Sequence, residues 1–163
     1  MDSHFVVNVA DARTFFSPHS SVFVEFEPAD RDQRFGETGV NITVLQPGKP
    51  NGMYHAESTQ EDFLVLHGEC LLIVEDEEIR LKAWDFFHCP AGVNHIFVGL
   101  DEPCAVLMVG SRREGATIHY PVNEVAAKHG ASVTADTPDP DVAYADWTEP
   151  DEPVSLDWPL SSG

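Results

Sequence analysis

Between residues 53 and 110 the chain offers only short apolar runs, and this limits what it can fold into. The runs cover 53–57, 61–66, 70–75, 78–81, 84–89, 95–99 and 104–109. Turn-forming or charged clusters separate them: His67-Gly-Glu69, Asp76-Glu77, Pro90-Ala-Gly92 and Asp101-Glu-Pro103. Many short strands at close spacing predict an all-β sandwich or barrel. No spacer is long enough for a crossover helix, so the strands are expected to pair antiparallel. Val22–Glu27 alternates and Val40–Leu45 is β-branched, which adds two strands upstream.

The flanks read differently. Residues 1–20 are weakly patterned. Pro121–His129, followed by Gly130, carries an early Glu, an Ala-rich middle and a glycine stop, so one short helix is expected there. Residues 134–163 are rich in Asp, Glu and Pro, yet Tyr144, Trp147, Leu156 and Trp158 punctuate them. Aromatics contribute too much on burial to be left in water, so this acidic tail is expected to lie extended across the barrel or a partner chain. The expected organisation is an N-terminal segment (1–20), a barrel (21–112), a helix region (113–133) and the tail (134–163).

Charge narrows the partners. The chain has 28 acidic and 9 basic residues, a formal net charge of −19. Polyanionic nucleic acid and anionic membranes repel such a surface, so neither is an expected partner. No apolar run reaches the length of a membrane span, and the acidic start lacks the features of a secretory signal. Cys70, Cys89 and Cys104 form no CxxC pair and sit in apolar runs, as buried thiols in a reducing compartment would. A cytoplasmic location follows as the expectation.

The chemistry concentrates at Tyr54-His-Ala-Glu-Ser-Thr-Gln-Glu61. Residues two apart on a strand share a face, so His55 and Glu57 project together. The strand starting at Glu61 is expected to reverse antiparallel to the first and return a second carboxylate to that side. One imidazole and two carboxylates suit a divalent metal that has one or more further ligands. His95, which opens a later strand after a Pro-Ala-Gly turn, is the candidate.

These two stretches resemble the motifs of the cupin superfamily. The first cupin motif, Gly-x5-His-x-His-x3or4-Glu-x6-Gly, is matched by His55-x-Glu57-x3-Glu61-x6-Gly68, with Gly48 one place further back than the motif's opening glycine. The second, Gly-x5-Pro-x-Gly-x2-His-x3-Asn, is matched by Trp84-x5-Pro90-x-Gly92-x2-His95-x3-Gly99. The resemblance implies a small jelly-roll-like antiparallel β-barrel with metal ligands on its inner wall. Carried over by position, His55, Glu61 and His95 fall on ligand positions, and Glu57 stands where many cupins have a second His. Glu57 hardens the donor set toward Fe or Mn, with Zn also accommodated. It serves either as a fourth ligand or as a base beside a His55–Glu61–His95 triad. Trp84 in place of Gly suggests a different turn, and Gly99 replaces the motif's Asn.

The functional expectation is a metal-binding cupin acting on a small organic molecule. Dioxygenase chemistry, or isomerase or lyase chemistry, would suit the site; the alternative is a non-catalytic binding module. Phe63 and Phe97 share parity with Glu61 and His95 and are expected on the same wall. His67 and His88 are expected to be structural, and Glu75-Asp-Glu-Glu78 a solvated hairpin tip. Leu64 and Leu66 face outward and need a cover, from a second sheet, the tail or a partner subunit, with a homodimer favoured.

Overall fold

The computed structural model describes residues 4–28, 30, 33–158 and 160. Twelve short strands dominate it: β1 (Arg13–Phe16), β2 (Val22–Glu25), β3 (Thr38–Leu45), β4 (Ala56–Glu57), β5 (Glu61–His67), β6 (Glu69–Val74), β7 (Glu77–Lys82), β8 (Phe86–Cys89), β9 (His95–Gly99), β10 (Cys104–Ser111), β11 (Ile118–His119) and β12 (Glu152–Pro153). Two one-turn helices, α1 (Glu124–Ala127) and α2 (Pro140–Ala143), follow the main strands.

The strands form three sheets, with orders β12-β1-β2-β3-β10-β5-β8, β7-β6-β9 and β11-β4. All pairs are antiparallel. The expected closed barrel is therefore corrected to facing sheets, because hydrogen bonding is not continuous around the described residues. Only isolated bridges, such as Pro50 with Val98 and His55 with His95, lace residues 47–55 to β9.

Side-chain alternation explains the layers. Phe63 and Val65 of β5 and Val106 and Met108 of β10 meet Leu72 of β6 and Phe97 of β9 in a core between the two larger sheets. Ile96 and Val98 point to the opposite face of β9, where Ala126 and Ala131 of the α1 region cover them. All five residues of β9 are consequently buried. The outer face of the large sheet, built on Val22, Val24, Ile42, Val44 and Ala105, packs against Val9 and Ala12 from one end of the chain and Val154, Leu156 and Trp158 from the other. Leu66 joins this cluster.

Local chemistry sets the ends. The Asn123 side chain caps α1 by accepting the Ala126 N–H at 2.8 Å, and Gly130 takes φ +69° just beyond it. Asp139 caps α2, whose first residue is Pro140. Trp84 stands at φ +74° in the β7–β8 turn, the left-handed region that glycine favours. The β6–β7 tip is exposed, as expected, but it is also tied down. Asn94 N–H donates to Glu75 at 2.8 Å, Asn123 Nδ2 donates to Asp76 at 2.6 Å, and His129 Nε2 lies 2.7 Å from Glu78.

Candidate metal centre

The site lies where the facing sheets approach each other. His95 opens β9, and Glu61 opens β5 of the large sheet. His55 joins His95 by two backbone hydrogen bonds, His55 N–H to His95 O at 3.2 Å and His95 N–H to His55 O at 2.8 Å. The expected hairpin between 53–57 and β5 does not form: β4 pairs with β11 instead. Ser58–Gln60 crosses from one sheet to the other, and so carries Glu61 opposite His55 and His95 rather than beside them.

His55, Glu61 and His95 each present a ligand atom, and these atoms lie within 4.8 Å of one another. Two donors on one small divalent ion, each about 2.1 Å from it, can be no more than about 4.2 Å apart, so little closing is needed. Glu57 lies outside this trio. Its carboxylate accepts a hydrogen bond from Thr59 Oγ1 at 3.2 Å.

Both imidazoles are anchored through the same nitrogen. His55 Nδ1 lies 2.7 Å from the Met53 carbonyl, and His95 Nδ1 lies 3.2 Å from the Val93 carbonyl. A carbonyl only accepts, so each Nδ1 carries the proton and each Nε2 keeps its lone pair. Backbone carbonyls on the far ring nitrogen are a common way to orient metal-binding histidines. Burial holds both rings neutral. It pushes His55 below the usual imidazole value against the opposing pull of Met53 and Glu57. It lowers His95 to about 3, with the neighbouring His55 adding to the effect.

Glu61 completes the pattern. Its Oε2 lies 3.4 Å from His95 Nε2. That oxygen is buried and has no hydrogen-bond partner among the described residues. Burial first, and the Glu57 charge second, raise its pKa to about 8. A buried carboxylate oxygen without a donor is costly unless something else satisfies it. Two neutral imidazoles with outward lone pairs and one unsatisfied carboxylate fit a divalent cation.

Phe63, Phe87 and Phe97 surround His95, with ring centroids 5.2, 6.0 and 6.4 Å from it. This apolar wall supplies the low dielectric behind the pKa shifts. Phe63 and Phe97 lie on the face that strand parity assigned to them. Sequence reading missed Tyr120, whose ring lies 5.8 Å from His55 and is itself buried. No local pattern near residue 120 points to His55; the β11–β4 pairing brings it there. His88 pairs with Asp62 at 2.7 Å, away from the trio. The three cysteines are free and buried, and Cys89 Sγ lies 3.4 Å from His95 Nδ1.

Comparison with known proteins fits this geometry. Residues 41–110, which span His55, Glu57, Glu61 and His95, match the cupin domain family. Over that stretch the chain is similar to the cupin domain. A sugar phosphate isomerase of the cupin superfamily from Silicibacter pomeroyi is 27% identical, with a TM-score of 0.53 over 61% of this chain. The match spans 64% of that isomerase's length. The polyketide cyclase RemF from Streptomyces resistomycificus shares the fold at 16% identity and TM-score 0.58, over 70% of this chain and 84% of its own. An RmlC-like cupin from Shewanella frigidimarina shares it at 18% identity and TM-score 0.56, over 70% of this chain and 95% of its own. No curated protein matches the chain. No helix among the described residues is long and apolar enough to cross a membrane.

Proposed function

We propose that this cupin holds a divalent metal at His55, Glu61 and His95, with Glu57 beside them as a second carboxylate, and acts on a small oxygen-bearing organic molecule. The observation carrying this reading is the buried, donor-less Glu61 oxygen facing His95, with both histidines anchored through Nδ1. A bound divalent ion would supply Lewis acidity toward a substrate oxygen. The chain's own residues do the rest. The two imidazoles and Glu61 orient the substrate-facing side of the site. Phe63, Phe87 and Phe97 exclude water. Glu57, when not itself a ligand, takes or returns the proton.

The isomerase similarity supports proton-transfer isomerisation as the reaction class. The acidic composition, 28 carboxylates against 9 basic residues, favours a neutral polyol or carbonyl compound over a phosphate ester. The second reading is oxygen chemistry, favoured by the donor set of two His and one carboxylate. Residues 21–112 would form the metal-bearing unit, with 113–133 and 134–163 supporting it. Exposed Trp84 and Phe86, 72% and 62% accessible, support a homodimer that covers them.

The test is a thermal-shift and turnover screen of the metal-loaded protein. A melting shift and conversion with neutral aldoses or ketoses supports isomerisation. Oxygen consumption with catechol- or flavonol-like compounds supports the second reading. Ligand-induced shifts without turnover leave a binding module.

A further inference from the structure

The segment bearing His55 is held from outside the matched cupin region. Two peptide planes flank Met53, and a residue from the C-terminal part of the chain pins each one. The plane before Met53 donates its N–H to Tyr144 Oη at 3.0 Å. The plane after it donates the Tyr54 N–H to the Ala131 carbonyl at 2.7 Å. The carbonyl of that second plane is the oxygen that fixes His55 Nδ1 at 2.7 Å.

Tyr144 is itself well held. It ends α2, and its carbonyl accepts the Trp147 N–H at 2.9 Å. Its ring packs edge-on to Tyr120 at 5.7 Å and to Trp147 at 4.9 Å. Tyr120 in turn lies against the His55 ring. Gly52 makes room for the phenol: a Cβ there would stand 2.8 Å from Tyr144 Oη. Burial keeps the Tyr144 proton above the ordinary phenol range, so the hydroxyl stays neutral and its oxygen can accept.

We propose that Tyr144 is a positioning residue for the metal centre, fixing the Met53 backbone so that its carbonyl holds His55 with Nε2 turned into the site. Its consequence for metal binding rests on the proposed function; its consequence for the His55 ring does not. The residue touches no reacting atom, so it acts only through the Met53 peptides. The C-terminal segment thereby becomes part of the site, and the motif-bearing region, residues 41–110, is incomplete alone.

The experiment compares the full chain with Tyr144→Phe and Gly52→Ala. The first removes only the hydroxyl; the second displaces it. Zn²⁺ affinity is measured by competition with a chromophoric chelator. The His55 tautomer in the metal-free protein is read by ¹⁵N NMR of the imidazole. The expected result for both variants is a Zn²⁺ Kd raised about tenfold, as for other groups that orient a metal ligand. His55 should also move from a pure Nδ1–H signal to a mixture. A merely structural tyrosine would lower the metal-free Tm and leave the tautomer and the Kd unchanged, which would overturn the proposal. Failure of the unsubstituted chain to bind Zn²⁺ would sink the proposed function. The tautomer would then decide the positioning role: a shift in Tyr144→Phe supports it, and an unchanged signal overturns it.

Discussion

At the scale of single residues, the site depends on which atoms are left without partners. Glu61 is the informative one. Glu61→Gln keeps the shape and removes the charge, so metal affinity should fall by at least about 100-fold, more than the loss of a mere orienting group; titration with Mn²⁺ or Zn²⁺ reads it. Two departures from the cupin motifs also acquire reasons here. A Cβ on Gly99 would run into the Gln46 carbonyl oxygen, so backbone fills the space where the motif's Asn would sit. Gly99→Ala should destabilise by about 3 kcal/mol in urea unfolding, at the upper end for forced overpacking. Trp84 occupies a left-handed turn and is mostly exposed. In the single chain, Trp84→Gly should therefore cost little burial and relieve about 1 kcal/mol of backbone strain, raising the monomer's Tm slightly. His55, Glu61 and His95 were legible in the sequence as spacing. Glu61's missing donor and the shared Nδ1 anchoring were not, because both depend on carbonyls and walls supplied by other strands.

At the scale of elements, alternation told most of the story. β5 reads in sequence as it stands in space, with Phe63 and Val65 inward and Leu64 and Leu66 less buried. β1 was hidden because Phe15 and Phe16 are adjacent and break the alternation, and β12 because an exposed Glu-Pro pair carries no strand signal. The partner of 53–57 was misjudged for a related reason. A three-residue link looks like a hairpin, yet here it crosses between sheets, and pairing is a long-range property. Elements are also joined by charge. Arg112, just past β10, donates to both Glu27 oxygens at 2.6 and 2.7 Å and to the Phe35 carbonyl at 2.6 Å. Burial alone would raise the Glu27 pKa, but Arg112 and the Phe35 N–H outweigh it and hold the carboxyl below 4.5. A lowered carboxyl pKa stabilises the fold fully above the unfolded value, and that contribution fades as pH falls through the folded one. Glu27→Gln should cost about 2 kcal/mol at pH 7. It should also flatten the loss of stability below about pH 4.5, as measured by denaturation across pH.

At the scale of the whole molecule, the segments before and after residues 41–110 close over that region. Val154, Leu156 and Trp158 cover the outer face of the large sheet. Tyr144 and Trp147 pack with Met53 and Tyr120 beside the site. Removing residues 148–163 should expose that face and lower stability by about 3 kcal/mol, the value of one or two well-buried large side chains. Chemical denaturation of the truncated chain checks this. The aromatics in the acidic tail were visible in the sequence; the surfaces they would cover were not. Everything proposed for the site turns on the metal. Elemental mass spectrometry of protein purified without nickel resin, beside a His55→Ala variant, tests it most directly. The expected result is a near-stoichiometric divalent metal in the unsubstituted protein and none in the variant. No metal in either, even after reconstitution with Fe²⁺, Mn²⁺ and Zn²⁺, would contradict it.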